Sequence, residues 1–449
     1  MSVTLDAPPR STRRERLGWY AYDWASQPFV TTVMTVLGTV FLTQLASTAA
    51  GCAENCSDVR VEVFGATVPI GSLWGYTTSA SVLLNVALMP VVGAWADRSA
   101  RKRWILGGFA YTGAALVFAL VFLSAASGPY LTAALLVLGA NVCFGCSIVV
   151  YDSFLPQLAA PDERDGMSST GWALAYLAGA VFLALNLASI SLAGPLGIGE
   201  LTAVQWGIAA TGLWWAGWTL FVLARLPDRE PEADVSVPLL RQLASTFAEL
   251  RRYPKTLLFL AAFLLYSDGI STVLAMVGTY ADQELGLASS QLVLAILLVQ
   301  FVNVAGVYAM RALAARIGAY KTILAGVAGW GGVVLAAYWM PKENFAAFLG
   351  LGAALGLVLG GTQALSRSLF SQMIPEGKEA AYFGIYQIAD RGTSWMGPLM
   401  FALVVQFTGS MRLGVLGLMA FFAAGFAVLA MVPVRAAIAA AGNTPARRL

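Results

Sequence analysis

Hydrophobic residues in this chain fall into long runs that are separated by short polar segments. Twelve runs have about 20 residues or more, the length with which an α-helix crosses a hydrocarbon core of about 30 Å. The pattern therefore predicts an all-α membrane protein with twelve transmembrane helices. The predicted spans are 19–47, 69–92, 104–125, 130–151, 170–193, 204–225, 256–281, 289–311, 320–340, 345–369, 381–407 and 412–435.

The composition agrees with a membrane protein and excludes an ordinary soluble domain. Hydrophobic residues make up 58% of the 449 residues and charged residues 11%, whereas soluble domains are about 45–50% apolar and about 25% charged. The polar stretch before the first run lacks the short apolar core and small-residue cleavage site of a secretory signal. We therefore expect the first helix to remain in the mature protein.

Lysine and arginine residues are distributed unevenly among the segments that connect the predicted helices. Residues 1–18 and 225–255 are rich in them, whereas the segments on the other side contain only Arg60, Lys342 and Arg412. Because basic segments favour the cytoplasm, both termini are predicted to be cytoplasmic. The net charge of +3 follows from this topology and gives no indication of nucleic-acid binding.

The longest connection divides the chain into two halves. Residues 19–225 and 256–435 each contain six predicted helices, residues 226–255 form a cytoplasmic linker, and residues 1–18 and 436–449 are cytoplasmic tails. An apolar stripe in the linker predicts a short helix that lies on the inner membrane surface or packs against the bundle. The stripe consists of Leu240, Leu243, Phe247 and Leu250.

The two halves show weak internal similarity. When the segments that follow the fourth helix of each half are aligned, Asp152 falls on Arg367. The first helix of each half also contains an aspartate that follows a tyrosine, Asp23 and Asp268. A parallel repeat of this kind predicts two halves related by a pseudo-twofold axis along the membrane normal.

The four cysteines form two pairs. Cys52 and Cys56 lie in the first outer loop, where an oxidising compartment permits a disulfide, although the spacing alone does not establish one. Cys143 and Cys146 form a C-x-x-C motif inside a predicted helix, and the chain has no histidine to complete a metal site. We interpret this second pair as small residues in helix packing, and we expect neither a metal nor a cofactor.

Asp268 and Arg391 are charged residues at comparable depth inside predicted helices. A charge near the bilayer centre costs about 2.5–3.5 kcal/mol on insertion scales and should face protein or water. We predict that Arg391 binds a carboxylate and that Asp268, together with Asp23, binds a proton or sodium ion in the same cavity. Two alternatives remain: an Asp268–Arg391 ion pair that only joins the halves, and an interfacial Asp23. Further polar residues predicted to line the site are Gln387, Asn303 and Gln363.

The loop after the second helix contains a charged motif. Its sequence, GAWADRSARKRW, has Gly93, Asp97, Arg98, Arg101 and Arg103 in the arrangement of the loop signature of the major facilitator superfamily. A degraded copy, ALAARIGAYK, occurs at the matching place in the second half. Together with twelve helices, this resemblance implies the major facilitator fold.

Charged residues near the cytoplasmic helix ends are predicted to form a gate, which keeps the outward-open state closed on the inside. We expect Asp97 and Arg101 to bond across the helix ends, with Asp152 as a further partner. The predicted gate residues are Asp97, Arg98, Arg101, Asp152 and Arg367.

Three segments resemble one branch of the superfamily. YDWASQPF, YSDGIST and GGTQALSRSLFSQMIPEGKEAAYFGIY are similar to the vacuole effluxers, the autophagy-related amino-acid exporters of fungal vacuoles and their bacterial relatives. The resemblance covers nearly the whole chain. It implies a secondary transporter that moves a small polar or zwitterionic solute, in particular an amino acid, by alternating access. It also implies a multi-pass protein of a bacterial plasma membrane in contact with lipid.

Other functions are kept as alternatives. The runner-up is export of drugs or other amphipathic compounds, although the fifth helix, STGWALAYLAGAVFLAL, lacks the glycine-proline signature of many drug antiporters. A membrane-embedded enzyme or a non-transporting receptor is more distant, since no compact carboxylate cluster or nucleophile motif is present. No nucleotide-binding P-loop occurs, so we expect coupling to a proton or sodium gradient, or downhill movement.

Overall fold

The structure, a computed structural model, describes residues 11–52, 56–123, 127–228, 248–391 and 395–449, apart from the side chains of Ser289 and Ser290. Eleven helices within these residues are long and apolar enough to cross a membrane. Those of the first half are α1 (Arg13–Ala49), α2 (Leu73–Asp97), α3 (Lys102–Ala119), α4 (Tyr130–Asp152), α5 (Pro161–Ala193) and α6 (Glu200–Leu223).

The second half has a similar set of helices. They are α7 (Pro254–Thr279), α8 (Ser289–Ile317), α9 (Ala319–Tyr338), α10 (Phe345–Gln372) and α12 (Met411–Ala430). The predicted span 381–407 is occupied by two shorter helices, α11a (Glu379–Arg391) and α11b (Met396–Thr408). Residues 229–247 of the linker, which include most of the predicted interfacial helix, lie outside the described residues.

Some helices begin well before the apolar run that predicted them. Thr12 and Glu15 form a capping box at the start of α1, in which each side chain accepts a hydrogen bond from the other residue's backbone N–H. Helix α5 begins at Pro161, where the fixed φ of proline suits the first helical turn. It has 33 residues, so its length of about 50 Å exceeds a hydrocarbon core of about 30 Å by about 20 Å.

Helix α1 is not α-helical throughout. Residues Phe29–Leu37 form a π-helical segment, at the end of which Gly38 N–H donates to the carbonyl oxygen of Val33. The segment directly follows Pro28, which has no N–H to donate to the preceding turn. The widened turns lie in the middle of the membrane span.

Both ends of the described chain lie on one side of the molecule, which we call the termini side. Ser11 Oγ donates to Leu158 O (2.5 Å), in the connection between α4 and α5, and Arg447 N–H donates to Asp162 Oδ1 (2.7 Å), in the first turn of α5. The opposite side has a two-stranded antiparallel hairpin, β1 (Arg60–Val63) and β2 (Ala66–Pro69). A disulfide between Cys52 and Cys56 precedes this hairpin.

Buried apolar residues form two large clusters. One extends from Trp19 to Leu226 and the other from Leu250 to Ile438. Ala173 and Tyr176 of α5 pack with the second cluster, and Ala380 of α11a packs with the first. Each half therefore has its own core, and the exceptions mark the helices through which the halves touch.

The contacts between the halves are related by symmetry. Helix α2 packs against α11a, and α5 packs against α8 and α10. The second helix of each half thus contacts the fifth helix of the other, as a pseudo-twofold axis requires. Gly93 and Gly384 allow the close approach of α2 and α11a, because a side chain at either position would collide with the backbone of the facing helix.

Candidate functional site

A cavity of about 510 Å³ lies between the two halves. Its walls come from α1, α4, α5, α7, α8, α10 and α11a. It extends from Asp152 and Arg367, near the termini-side ends of α4 and α10, to Thr35 and Phe348 toward the opposite side. The cavity therefore spans much of the membrane depth along the boundary between the halves.

Arg367 of α10 joins the halves at the termini end of this cavity. Its Nη1 atom lies 3.1 Å from Asp152 Oδ1, and its Nη2 atom lies 3.5 Å from Asp23 Oδ2. Its Nε atom donates to Ser168 Oγ at 2.9 Å. Tyr151 O–H also donates to Asp23 Oδ2 at 2.6 Å. Both carboxylates belong to the first half, so this buried network holds the two halves together.

Asp97 makes a second connection between the halves. Its carboxylate accepts hydrogen bonds from the backbone N–H groups of Ala380 (2.9 Å) and Ala381 (2.8 Å), in the first turn of α11a. These donors have no partner within their own helix, and the helix dipole favours a negative charge there. Lys102 Nζ lies 3.2 Å from Asp97 Oδ1. Asp97 thus caps a helix that belongs to the other half.

The predicted partners of Asp97 were wrong. Arg101 is exposed, Asp97 pairs with Lys102, and Asp152 pairs with Arg367. Arg98 is half-buried at the end of α2. The signature loop contains several cations in a short space, and the sequence does not show which of them turns back toward the helix end.

Further contacts between α5 and α10 were missed by the sequence reasoning. Buried Arg164 donates to the carbonyl oxygen of Ser371 (2.8 Å), and Ser368 Oγ donates to Asp165 Oδ1 (2.6 Å). Both acceptor–donor pairs cross between the halves. The predicted span begins at residue 170, whereas the polar stretch from Pro161 already forms the first turns of α5; its continuation into an apolar run was the available signal.

Arg391 lies on the cavity wall, close to the end of α11a. Its Nε atom donates to Gln387 Oε1 at 3.1 Å, and its guanidinium lies 5.0 Å from the centre of the Phe144 ring. Its two Nη atoms donate no hydrogen bond to any of the described residues. Gln387 Nε2 in turn donates to Asp152 Oδ2 at 2.9 Å.

Asp390 also lines the cavity and was missed by the sequence reasoning. Its Oδ1 atom accepts a hydrogen bond from Ser267 Oγ at 2.5 Å, and Gln363 Nε2 donates to the same hydroxyl at 3.4 Å. The adjacent opposite charges of Asp390 and Arg391 in an apolar run were the signal for it. The middle of the cavity therefore contains one cation and one anion on consecutive residues.

The predicted site residues do not all come together. Asp23, Gln363, Gln387 and Arg391 line the cavity. Asn303 is instead buried between α8 and α10, where its Oδ1 atom accepts from Gly360 N–H at 2.7 Å. We correct its assignment to a contact between helices.

Asp268 is not among the described residues that line the cavity. Its carboxylate is fully buried beside Thr272 and Gly397; the nearest donor is the backbone N–H of Gly397, and no side chain of the described residues donates a hydrogen bond to either oxygen. The alternative ion pair with Arg391 is not formed among the described residues. The position of Asp268 in the sequence gives its depth along α7 but not the direction that it faces. Ser271 and Leu274 face the cavity, and Asp268 lies on another face of the helix.

The described residues contain no group of three or more His, Cys, Asp or Glu side chains that could hold a metal ion. Cys143 is half-buried and Cys146 is buried, and neither is in a disulfide.

Similarity to a known protein family identifies the kind of protein that contains this cavity. A sequence model described as "Vacuole effluxer Atg22 like" matches residues 11–442. The chain belongs to the Atg22-like vacuole effluxer family. This Atg22-like chain is 27% identical over 429 residues to the uncharacterized MFS-type transporter YxiO of Bacillus subtilis, covering 94% of the chain and 96% of the relative. It is 28% identical over 520 residues to autophagy-related protein 22 of Coccidioides immitis, covering 91% of the chain and 84% of the relative.

Solved structures share the fold of this Atg22-like chain. A bacterial homologue of the iron transporter ferroportin in an outward-facing state superposes with a TM-score of 0.64 at 15% identity, covering 93% of this chain and 98% of that one. The transporter FucP in its outward conformation gives 0.65 at 12% identity, covering 92% and 99%. The fold is thus the twelve-helix major facilitator fold, and the Atg22-like chain is a multi-pass membrane transporter of that type.

Proposed function

We propose that this transporter moves a small zwitterionic solute, in particular an amino acid, by alternating access. The observation that supports the proposal is a cavity between the halves with charges of both signs on its wall. Arg391 and Asp390 provide these charges at mid-depth, and Asp23 lies nearer the termini side. The family description, vacuole effluxer, agrees with efflux of a solute.

Arg391 supplies the site for the solute carboxylate. Its planar guanidinium matches a carboxylate with two parallel donors, and its Nη atoms are not engaged by the described residues. Asp390, one residue earlier, supplies a negative charge for the solute ammonium group. Apolar side chains such as Leu274, Ile296 and Leu355 complete the wall and suit an aliphatic side chain.

Asp268 supplies the site of a coupling ion. A fully buried carboxylate that receives no hydrogen bond from a side chain of the described residues is stabilised when it takes up a cation, which here is a proton or a sodium ion. We expect Asp268→Asn to leave a folded protein whose solute exchange continues but whose uptake no longer depends on a proton or sodium gradient. Reconstituted vesicles with imposed gradients test this, and Asp282→Asn, on the opposite side beyond α7, is the matched control. Gradient-driven uptake by Asp268→Asn would contradict the assignment.

The alternation exchanges access on the two sides of the membrane. We place both termini in the cytoplasm of a bacterial plasma membrane, so that the termini-side contacts of Asp97, Asp152 and Arg367 form the cytoplasmic gate. The two halves, residues 19–225 and 256–435, are the moving units, joined by the linker 226–255. The closed termini side and the long cavity above it correspond to an outward-facing state.

Binding of amino acids to the purified protein tests the proposal. A thermal-shift screen against the proteinogenic amino acids should raise the unfolding temperature for a subset of them, because a ligand of the folded state stabilises it by mass action. In proteoliposomes, counterflow of radiolabelled L-leucine should be fastest against those amino acids that raise the unfolding temperature. Arg391→Gln should abolish both effects, whereas the matched charge loss Lys342→Gln, at an exposed site on the opposite side, should not. Equal loss in the two variants, or no stabilisation by any amino acid, would overturn the proposal.

Export of amphipathic compounds is a second candidate, since most of the cavity wall is apolar. The same thermal-shift screen includes amphipathic organic cations. Stabilisation by these cations that persists in Arg391→Gln would favour this candidate over amino-acid transport.

A further inference from the structure

Gln387 lies between two charged groups that have different roles in the proposed mechanism. Its Nε2 atom donates to Asp152 Oδ2 at 2.9 Å, and its Oε1 atom accepts from Arg391 Nε at 3.1 Å. The side chain is buried. Both ends of one amide are therefore engaged by charged partners, one on its own helix and one on α4 of the other half.

The two carboxylate oxygens of Asp152 bind two different partners in the second half. Oδ1 faces Arg367 Nη1 at 3.1 Å, and Oδ2 accepts from Gln387. A continuous chain of hydrogen bonds thus extends from Arg391 through Gln387 and Asp152 to Arg367. It begins at the proposed solute site and ends at the contact that closes the termini side.

We propose that Gln387 transmits the state of Arg391 to the Asp152–Arg367 bridge. Arg391 polarises the amide, which makes Gln387 a stronger donor to Asp152, because hydrogen bonds in a chain strengthen one another. A solute carboxylate that engages Arg391 offsets this polarisation and weakens the hold on Asp152. Asp152 is then held less firmly by the second half as a whole, and the termini side opens when the site is filled.

The identity of the solute in this scheme rests on the proposed function, whereas the coupling between Arg391 and the bridge does not. Arg391 also attracts Asp152 directly through space, and this attraction would survive removal of the amide. The neighbouring Asp390 is a further charge close to Arg391, and its bonded partner is Ser267. A double-mutant cycle separates transmission through Gln387 from these direct effects.

The cycle needs a reporter of the termini-side contact. Ala94 is fully buried against Ala381 where α2 meets α11a, one turn before Asp97. In a Cys143→Ser, Cys146→Ser background, Ala94→Cys should react with a membrane-impermeant maleimide only when the halves separate on this side. The labelling rate in inside-out vesicles, without any solute, therefore measures opening.

We expect Arg391→Gln to raise this labelling rate about fivefold, the size typical of residues that share one hydrogen-bond network. In a Gln387→Leu background, Arg391→Gln should change the rate less than about twofold. Gln387→Met provides a second background of similar length if the leucine variant does not fold. Gln300→Leu is the matched control: Gln300 lines the same cavity but is not a partner of Asp152 or Arg367, so the fivefold effect should remain.

Two results would overturn the proposal. One is an equal effect of Arg391→Gln with and without Gln387, which would show a direct electrostatic effect. The other is no effect of Arg391→Gln in the parent protein. Addition of L-leucine to the parent protein is a separate measurement. If L-leucine does not speed labelling, this counts against L-leucine as a solute under the proposed function. The role of Gln387 is decided by the solute-free cycle alone.

Discussion

Two arginines face the same cavity from different helices of the second half, yet their surroundings differ. Arg367 contacts two carboxylates and the Ser168 hydroxyl. Arg391 is bonded to a glutamine amide of its own helix and lies over the Phe144 ring. An arginine whose donors are engaged by the protein holds helices together, whereas one with unengaged donors can bind a solute. Arginine therefore serves two purposes in one cavity: Arg367 holds the halves together, and Arg391 is available to bind a solute.

Removal of the engaged arginine should have the largest effect on stability. Arg367→Gln leaves Asp152 and Asp23 buried without their cation, and breaking a buried pair in this way costs about 3–5 kcal/mol. We expect a clear fall in the thermal unfolding midpoint of the detergent-purified protein, followed by tryptophan fluorescence. Arg391→Gln should lower the midpoint much less. If the two variants unfold together, the distinction between closure and binding group is wrong.

Substitution of the unengaged arginine by lysine sharpens the comparison through geometry. Arg391→Lys keeps the charge but loses the planar pair of donors, and a hydrogen bond to a charged group contributes about 1.5–3 kcal/mol. We expect the affinity for L-leucine, measured by isothermal titration, to fall about tenfold or more with little change in the unfolding midpoint. Unchanged affinity would show that Arg391 acts only as a diffuse charge.

Neutralisation of Asp97 should have the smallest of the three effects. Asp97→Asn keeps an acceptor for the first turn of α11a but loses the charge that faces Lys102 and the helix dipole, a loss of about 1 kcal/mol. We expect labelling of the Ala94→Cys reporter to rise severalfold and transport to slow, since the closed state loses one of its contacts. Unchanged labelling and rate would remove Asp97 from the closure.

The fold could be predicted because membrane insertion imposes a simple rule on sequence. A helix must have about 20 apolar residues to cross the bilayer, so twelve runs predict twelve spans without knowledge of any contact. Polar helical turns outside the membrane escape this rule. The first turns of α5, with Arg164 and Asp165, were missed for that reason, although they form contacts between the halves.

The site could be predicted only in part, because sequence position gives depth along a helix but not the direction that a residue faces in the bundle. Arg391 and Gln387 line the cavity, whereas Asp268 and Asn303, at similar depth, face neighbouring helices. The partner of a charge is equally hidden. The gate role of Asp97 stays a prediction, and its bonds to the backbone of Ala380 and Ala381 could not be foreseen because they depend on the packing of α2 against α11a.

The π-helical segment in α1 makes that helix tolerant of a change in chain length at one place. A π turn contains about one residue more than an α turn, so deletion of a single residue from Phe29–Leu37 would restore a regular α-helix. Because the widened turn already absorbs the extra residue, the parts before Pro28 and after Gly38 would keep their relative orientation, and Asp23 and Gln27 would stay on the cavity wall. The same deletion in a regular part of α1 would rotate everything before it by about 100°. Within this family, loss of one residue from this segment is therefore a length change that α1 can accommodate without altering the lining of the site.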